Sequence, residues 1–305
     1  MTIIQNDEHL LDRAAMIAMR GFMKIAPAMA VGPDGREAYD ALIEKTPAPE
    51  GVEWTETEIG GVRGWLCRPA HAVPGRAVLF LHGGCYVLGS ATAYRGLASQ
   101  LAARVKGAVF VADYRLAPEH PFPAAFDDAR QALDGMAAAG FDSVAVAGDS
   151  AGGGLALALV ASGVPGTRAV GAALFSPWID LSLASETMET RADADPILSR
   201  SILQQGAAQY LRGADPADVR ANAMNGDLLS LPPVRIDVGD NEVLLADSLR
   251  FEAVATTAGA PCEVHVWKGM VHVFPSNVAM LKAAPEALDG AGAFLEAAFV
   301  KGAGL

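Results

Sequence analysis

The sequence contains few cysteines and lacks a recognisable export signal. Its 305 residues include only Cys67, Cys85 and Cys262. This number is odd and too small for a disulfide framework, and no pair has the C-x-x-C spacing of a metal site. Such cysteine usage favours a reducing compartment, and the acidic N-terminal segment lacks the pattern of a secretory signal. We therefore expect a cytoplasmic protein.

Basic residues and long apolar runs are also scarce. Lys and Arg number 23 against 35 Asp and Glu, which gives a formal net charge of −12, and such a chain is a poor partner for nucleic acids or anionic membrane surfaces. No apolar run approaches the roughly 20 residues that span a bilayer. Hydrophobic residues nevertheless make up 51% of the chain, enough for a large core. We expect a small-molecule substrate, no nucleic-acid partner and no membrane span.

Short apolar runs alternate with helical patterns from residue 52 onward. Near-continuous apolar strands separated by helices are typical of a mostly parallel sheet that is flanked by helices on both faces, so we predict an α/β fold. The predicted strands are residues 52–59, 62–67, 77–81, 108–112, 144–147, 170–175, 234–238 and 264–267. The predicted helices are residues 93–105, 124–139, 153–162, 246–257 and 285–300.

Two segments do not follow this alternation. Residues 7–30 carry apolar side chains at helical spacing, and residues 180–225 are polar and helix-like without a clear strand. Ligands of open α/β sheets bind at the carboxyl edge of the strands. We therefore predict one domain over residues 1–305. Its helical cap above that edge is formed by about residues 1–50 and an insertion at about 182–225.

The segment GDSAG at residues 148–152 lies between a predicted strand and a predicted helix. This is the context of a G-x-S-x-G nucleophile elbow, in which a strained turn projects a serine hydroxyl toward the substrate. A serine hydroxyl is a weak nucleophile at neutral pH and needs a base to accept its proton. We therefore predict that Ser150 is a nucleophile assisted by a histidine.

His272 is the best placed of the six histidines. It follows the last predicted strand, so it lies at the same sheet edge as Ser150. Its imidazole needs an acid to hold the tautomer and to stabilise the cation. In α/β-hydrolases the triad residues occur along the chain in the order serine, acid, histidine. The acid follows the strand that comes directly before the strand leading to the histidine. The candidates there are Asp240, Glu242 and Asp247, and the residues alone do not separate them.

A tetrahedral oxyanion requires preorganised backbone donors, each worth about 10²–10³ in rate. One expected donor is the N–H of Ala151, directly after the nucleophile. The others are expected from the turn after an earlier strand, where Gly83, Gly84 and Cys85 follow His82. We therefore predict an oxyanion hole built from the backbone of Gly83, Gly84, Cys85 and Ala151, with His82 orienting the loop.

Taken together, these motifs resemble the bacterial hormone-sensitive-lipase-like esterases (family IV) of the α/β-hydrolase superfamily. The resemblance is carried by HGGCYVLGS at 82–90, DYRLAPEHPFPAA at 113–125 and GDSAGGGLA at 148–156. FSPWIDLS at 175–182 and GMVHVF at 269–274 also match the family. The resemblance implies an α/β-hydrolase fold, hydrolysis of short- to medium-chain esters without a cofactor, and a homodimer, because members often dimerise through the sheet edge.

The resemblance also assigns roles to single residues. It implies that Ser150 is the nucleophile and His272 the base. Residues 239–245 read GDNEVLL, which matches a branch of the family with the GDSAG elbow and places Glu242 at the acid position, with Asp240 as the alternative. The third glycine of the usual H-G-G-G motif is here Cys85, which keeps its backbone N–H but adds a side chain. We therefore expect a narrowed or thiol-modifiable site.

Tyr86, Phe175 and Trp178 are the candidates for the walls of the substrate pocket. Because the triad does not define the leaving group, a lactone hydrolase or an amidase is the alternative function. A more remote alternative is a non-catalytic, ligand-binding protein with a hydrolase-like fold.

Overall fold

The computed structural model describes residues 2–23, 25, 29–163, 165–166 and 168–302. Within them, strands form a nine-stranded sheet. The strands are β1 (Ile3–Asn6), β2 (Val52–Ile59), β3 (Val62–Pro69), β4 (Arg76–Leu81), β5 (Ala108–Ala112), β6 (Ser143–Asp149), β7 (Ala172–Phe175), β8 (Val234–Gly239) and β9 (Cys262–Trp267). Each predicted strand is present, with ends that differ by at most two residues.

The strand order is β1-β9-β8-β7-β6-β4-β5-β3-β2. Along this order, the first seven strands, β1-β9-β8-β7-β6-β4-β5, are parallel to their neighbours. The last two pairings are antiparallel, that of β5 with β3 and that of β3 with β2. The carboxyl ends of β4, β6, β8 and β9 therefore lie at one edge of the sheet. The segments with the predicted triad and oxyanion residues follow these four strands, whereas the predicted pocket residue Trp178 follows β7.

Helices cover both faces of the sheet. They are α1 (Leu10–Met23), α2 (Arg36–Ile43), α3 (Arg95–Val105), α4 (Ala124–Ala138), α5 (Ser150–Ala161), α6 (Thr187–Thr190), α7 (Arg200–Leu211), α8 (Leu245–Ala258) and α9 (Ala283–Gly302). Among the residues described, no helix is both long enough and apolar enough to cross a lipid bilayer.

Alternate side chains of β4 pack into two separate hydrophobic clusters, one on each face of the sheet. Leu79 and Leu81 belong to a buried cluster with residues of α4, α5 and α8. Val78 and Phe80 belong to a second cluster with residues of α3 and α9. Successive side chains of a strand point to opposite faces, and full burial of such an apolar side chain contributes about 1.5–3 kcal/mol. The continuous apolar pattern of the parallel strands is thereby explained.

Strand β1 is not among the strands that the sequence predicts. It pairs in parallel with β9, and the backbone N–H of Thr2 donates a hydrogen bond of 2.6 Å to Glu252 Oε1. Part of the N-terminal segment that the sequence pattern assigns to the cap therefore extends the sheet. Four residues that include the polar Gln5 and Asn6 are too few to establish a strand pattern in the sequence.

The remaining N-terminal segment contacts the 182–225 segment. Arg20 Nη1 donates to the backbone oxygen of Ala194 over 2.5 Å, and Gln209 Nε2 donates to that of Val31 over 2.9 Å. These two hydrogen bonds join α1 and the loop before α2 to residues on either side of the start of α7. The two segments that depart from the strand and helix alternation are therefore in direct contact.

Candidate active site

Ser150 stands at the junction of a strand and a helix. β6 ends at Asp149, α5 begins at Ser150, and the φ angle of Ser150 is 51°. This left-handed conformation costs a residue with a side chain about 1–2 kcal/mol. The flanking glycines allow the turn to sit against β4, because a Cβ on Gly148 would lie 2.6 Å from the Leu81 oxygen and one on Gly152 would collide with the same atom.

His272 hydrogen-bonds to both other predicted triad residues. Its Nε2 lies 2.9 Å from Ser150 Oγ, and its Nδ1 lies 2.8 Å from Glu242 Oε2. All three side chains are buried. Because the carboxylate holds the proton on Nδ1, Nε2 of the neutral ring is oriented to accept the serine proton. The arrangement can therefore activate the hydroxyl of Ser150.

The carboxylate of Glu242 is held by two further donors. Ser176 Oγ donates to Oε1 over 2.8 Å, and the backbone N–H of Gly239 donates to the same atom over 2.6 Å. Ser176 Oγ also accepts a hydrogen bond of 3.0 Å from the backbone of Val273, directly after His272. The sequence analysis missed Ser176, for which the only signal was its place directly after a strand in the FSPW segment.

The two alternative acids bind backbone groups instead. Asp240 Oδ1 accepts the N–H of Gly269 over 2.7 Å, and Asp247 Oδ2 accepts the N–H of Ile179 over 3.0 Å. Among the described residues, neither carboxylate hydrogen-bonds to the histidine. The structure therefore pairs Glu242 with the histidine and gives the other two acids loop-bracing contacts.

Asp195 is a second residue that the sequence analysis missed. Its Oδ2 accepts the N–H of Val243, the residue after Glu242, over 3.0 Å. Its Oδ1 accepts the N–H groups of Ile197 and Leu198 over 2.8 and 2.9 Å. Burial raises the pKa of Asp195. This carboxylate connects the 182–225 segment to the loop that carries Glu242.

The pKa of His272 is raised above its usual value. Burial has the largest single effect and lowers the pKa, because it disfavours the imidazolium ion. The hydrogen bond and negative charge of Glu242, together with the charges of Asp195 and Asp149, outweigh burial. The site therefore stabilises the protonated ring that forms when His272 accepts a proton.

The predicted oxyanion hole requires one correction. The N–H of Gly83 donates to Asp149 Oδ1 over 3.0 Å, so it is not available to a substrate. The N–H groups of Gly84 and Cys85 make no hydrogen bond to any described residue, and that of Ala151 lies in the first turn of α5, where helical N–H groups lack helical partners. The available donors are therefore those of Gly84, Cys85 and Ala151.

The three predicted pocket residues separate into two groups. Tyr86 is stacked on Tyr210 of α7, with ring centroids 3.8 Å apart and planes inclined by 3°. Trp178 lies at a tilted angle to Tyr86, with centroids 6.0 Å apart. Phe175 instead packs with Phe80 in the core on the α3 and α9 side of the sheet. Side chains alternate between faces, which places Phe175 away from Tyr86 and Trp178, so the prediction for Phe175 is corrected.

Cys85 does not present a reactive thiol. Its side chain is 6% exposed, and burial raises its pKa to about 12. Because the thiolate is the reactive form, the expected thiol-modifiable site is corrected to a buried thiol. In the part of the chain that the structure describes, no three His, Cys, Asp or Glu side chains are grouped so that they could hold a metal ion.

Comparison with known proteins shows the family to which the chain belongs. A family profile described as alpha/beta hydrolase fold matches residues 78–276. The chain is 41% identical to an acetyl-hydrolase of Streptomyces hygroscopicus, over 78% of this chain and 80% of that protein. It is 34% identical to an esterase of Acinetobacter venetianus, over 83% and 85% of the two chains.

Solved structures give the same result. The crystal structure of EstE5 matches with a TM-score of 0.87 and 32% identity, and covers 96% of this chain and all of the other. An esterase from the bacterial hormone-sensitive lipase family matches with a TM-score of 0.88 and 31% identity, over 96% and 99% of the two chains. The fold and the family that the sequence predicted are confirmed. The chain belongs to the α/β-hydrolase fold family, among the bacterial hormone-sensitive-lipase-like esterases.

Proposed function

We propose that this protein is a serine carboxylesterase that hydrolyses short- to medium-chain carboxylic esters through an acyl-enzyme intermediate. One observation carries the proposal: a continuous hydrogen-bonded chain runs from Ser150 through His272 to Glu242 in a member of an esterase family. The similarity to an acetyl-hydrolase supports small acyl groups within the substrate range.

The first half of the reaction forms the acyl-enzyme. His272 accepts the proton of Ser150 as the hydroxyl oxygen attacks the ester carbonyl, and Glu242 stabilises the imidazolium. The N–H groups of Cys85 and Ala151, with that of Gly84, donate to the oxyanion of the tetrahedral intermediate. The intermediate collapses when the bond to the alcohol breaks, and the alcohol leaves with the proton from the imidazolium.

The second half of the reaction releases the acid. His272 accepts a proton from a water molecule, whose oxygen attacks the acyl carbon, and the same backbone donors stabilise the second oxyanion. Collapse of that intermediate returns the proton to Ser150 Oγ and frees the carboxylic acid. The chemistry requires no cofactor, because the base, the nucleophile and the oxyanion donors all belong to the chain.

The segments outside the alternating pattern are proposed to form the cap of a single domain. The contacts of Arg20 with Ala194 and of Gln209 with Val31 support this, since they join the N-terminal helices to the 182–225 segment. Under this cap, Tyr86 and Trp178 are proposed as walls of the acyl pocket. Truncation of either side chain is then expected to shift the preferred acyl length.

The cellular setting and the assembly state are also proposals. All three cysteines are free and buried, which suits a reducing compartment such as the cytoplasm. The homodimer that the family resemblance implies is tested by light scattering of the purified protein at several concentrations, and a monomeric mass throughout would reject it.

A substrate panel tests the proposed activity. p-Nitrophenyl esters from acetate upward, lactones and anilides are assayed with the native protein, with Ser150→Ala and with a matched control, Ser248→Ala, in which a buried serine of α8 is altered. We expect ester hydrolysis that Ser150→Ala lowers by about 10⁴-fold or more and that Ser248→Ala leaves intact. Preference for lactones or anilides would reassign the enzyme to those substrates. Failure of a fluorophosphonate to label Ser150 in the folded protein would support a non-catalytic role.

A further inference from the structure

Helix α7 contacts the loop that supplies two oxyanion donors. This loop, residues 82–88, is called the oxyanion loop below. Its residues Cys85 and Tyr86 have φ angles of 55° and 64°, although neither is glycine. Residues with side chains persist in the left-handed region only where the surrounding structure over-determines it. Backbone hydrogen bonds hold part of the loop, among them the N–H of Ala117 to the Tyr86 oxygen over 3.0 Å. Two side-chain contacts come from α7, at Gly206 and, one turn later, at Tyr210.

Gly206 lies directly against Cys85. A Cβ added to Gly206 would lie 2.8 Å from Cys85 Cβ and 3.0 Å from the Cys85 carbonyl oxygen. Side-chain carbon atoms essentially never approach that closely, so only glycine permits this separation between α7 and the loop. Glycine within a helix is otherwise unfavourable relative to alanine. The close contact with Cys85 gives its presence a physical reason.

Tyr210 provides the second contact. Its ring lies parallel to that of Tyr86 at a centroid distance of 3.8 Å. Its backbone oxygen also accepts the N–H of Phe122 over 2.7 Å, and the Phe122 ring meets the Tyr210 ring edge-on. The C-terminal half of α7 is therefore fixed to the body of the protein at the place where it touches the oxyanion loop.

We propose that Gly206 is a positioning residue for ester hydrolysis: α7 packs on Cys85 through Gly206 and thereby holds the Cys85 N–H in the direction of the oxyanion. This inference rests on the proposed function. Oxyanion donors are effective only at about 2.7–3.1 Å from the developing charge. A displaced loop is therefore expected to slow the chemical step and to leave substrate binding largely unchanged.

The test is a double-mutant cycle with Gly206→Ala and Cys85→Gly. We expect Gly206→Ala to lower kcat about 10-fold to 100-fold, a part of the effect of losing one donor, with little change in KM. In the Cys85→Gly background the contact with Cβ of residue 85 is gone and only the tight contact of 3.0 Å with its carbonyl oxygen remains, so the same substitution is expected to cost less. Gly21→Ala on α1 is the matched control, because a Cβ there meets nothing within 4 Å.

Two further measurements separate positioning from a loss of folding. A trifluoromethyl ketone forms a tetrahedral oxyanion with the serine, and its affinity is expected to fall in Gly206→Ala by the same factor as kcat. Tyr210→Ala removes the ring stack and is expected to lower kcat, whereas Tyr210→Phe keeps the stack and retains most of the activity. These tyrosine variants also decide the question if Gly206→Ala does not fold.

The possible outcomes are distinct. An unchanged kcat in Gly206→Ala, losses that simply multiply in the double variant, or a native kcat in Tyr210→Ala would overturn the inference. If the native protein hydrolyses no ester, or if Ser150→Ala retains activity, the proposed function fails instead. Hydrolysis that depends on Ser150 but is indifferent to residues 206 and 210 rejects only the positioning role.

Discussion

Ser176 and Glu242 are joined by a hydrogen bond of 2.8 Å between the serine hydroxyl and the carboxylate oxygen that faces away from His272. The same hydroxyl accepts the backbone N–H of Val273. One side chain thus contacts both Glu242, the proposed acid of the triad, and the loop that carries His272, the proposed base. Ser176 follows β7 with a φ angle of 48°, which turns its side chain into this position.

Replacement of Ser176 by alanine is expected to loosen the triad without removing any of its members. The variant leaves Glu242 with one donor fewer on Oε1 and the Val273 N–H without its acceptor. We expect kcat to fall about 10-fold or more, on the scale of one charge-assisted hydrogen bond of about 1.5–3 kcal/mol, with KM nearly unchanged. The measurement is the steady-state kinetics of Ser176→Ala, with Ser248→Ala as the control. The buried hydroxyl of Ser248 has no partner among the described residues. Equal activity of the two variants would contradict the role of Ser176.

The two acids of the GDNEVLL segment are expected to respond differently to truncation. Glu242→Ala removes the partner of the imidazolium and is expected to lower kcat about 10⁴-fold, as loss of a triad acid does elsewhere. Asp240→Ala removes one bond to the Gly269 backbone and is expected to affect mainly stability. Kinetics and thermal unfolding of both variants test this assignment. Full activity in Glu242→Ala together with loss in Asp240→Ala would reverse it.

The pH dependence of the reaction is expected to report on the His272–Glu242 pair. The base must be unprotonated, so kcat/KM falls as the pH drops through the pKa of His272. Because Glu242 raises that pKa, we expect the midpoint above the usual histidine value of about 6.5. In Glu242→Gln the charge is lost and burial remains, so the midpoint of the residual activity is expected to move to lower pH. A midpoint that stays in place would show that the carboxylate does not set it.

Asp149 is expected to make the stability of the fold depend on pH. Burial raises its pKa to about 7, against the hydrogen bonds from Tyr94 and Gly83. An unfolded aspartate has a pKa of about 3.9, so the unfolded chain ionises first. The protonated side chain of Asp149 contributes fully to the free energy of unfolding below about pH 4. As the pH rises to about 7, the free energy of unfolding falls by an amount on the order of 4 kcal/mol.

Asp149→Asn tests this expectation, since an amide oxygen can still accept the Gly83 N–H. Urea unfolding between pH 4 and pH 8 is expected to show a smaller fall in the free energy of unfolding than the native protein does. Asp142→Asn, at an exposed position, is the matched control and is expected to leave the profile unchanged. Identical profiles for native protein and Asp149→Asn would show that Asp149 ionises normally when folded.

The parts of the site that depend on local sequence could be predicted. Ser150 and His272 each lie just after a strand of the parallel sheet, and the carboxyl ends of such strands converge. The GDSAG segment between a strand and a helix is itself a local motif. For Glu242 the local pattern left alternatives, and the family resemblance was needed to choose among them before the hydrogen bond with His272 was seen.

The parts that depend on contacts between distant segments could not be predicted. The N–H of Gly83 is occupied only because the carboxylate of Asp149 lies beside it in space, 66 residues later in the chain. Ser176 and Asp195 act through hydrogen bonds to residues far away in the chain, Glu242 and Val273 for Ser176 and Val243 for Asp195, and no spacing rule describes them. Phe175 lies on the face of the sheet opposite to Tyr86 and Trp178. The face on which a residue near the end of β7 lies depends on the register of that strand with β6 and β8, which the sequence does not specify.

Strand β1 also decides what the outer edge of the sheet offers to another molecule. With residues 3–6 paired along β9, a neighbouring strand could add only to a four-residue segment. Short edge strands are poor templates for uncontrolled strand addition. Backbone pairing across this edge is therefore limited to a short segment, whereas removal of the first six residues would make the six-residue strand β9 the edge of the sheet.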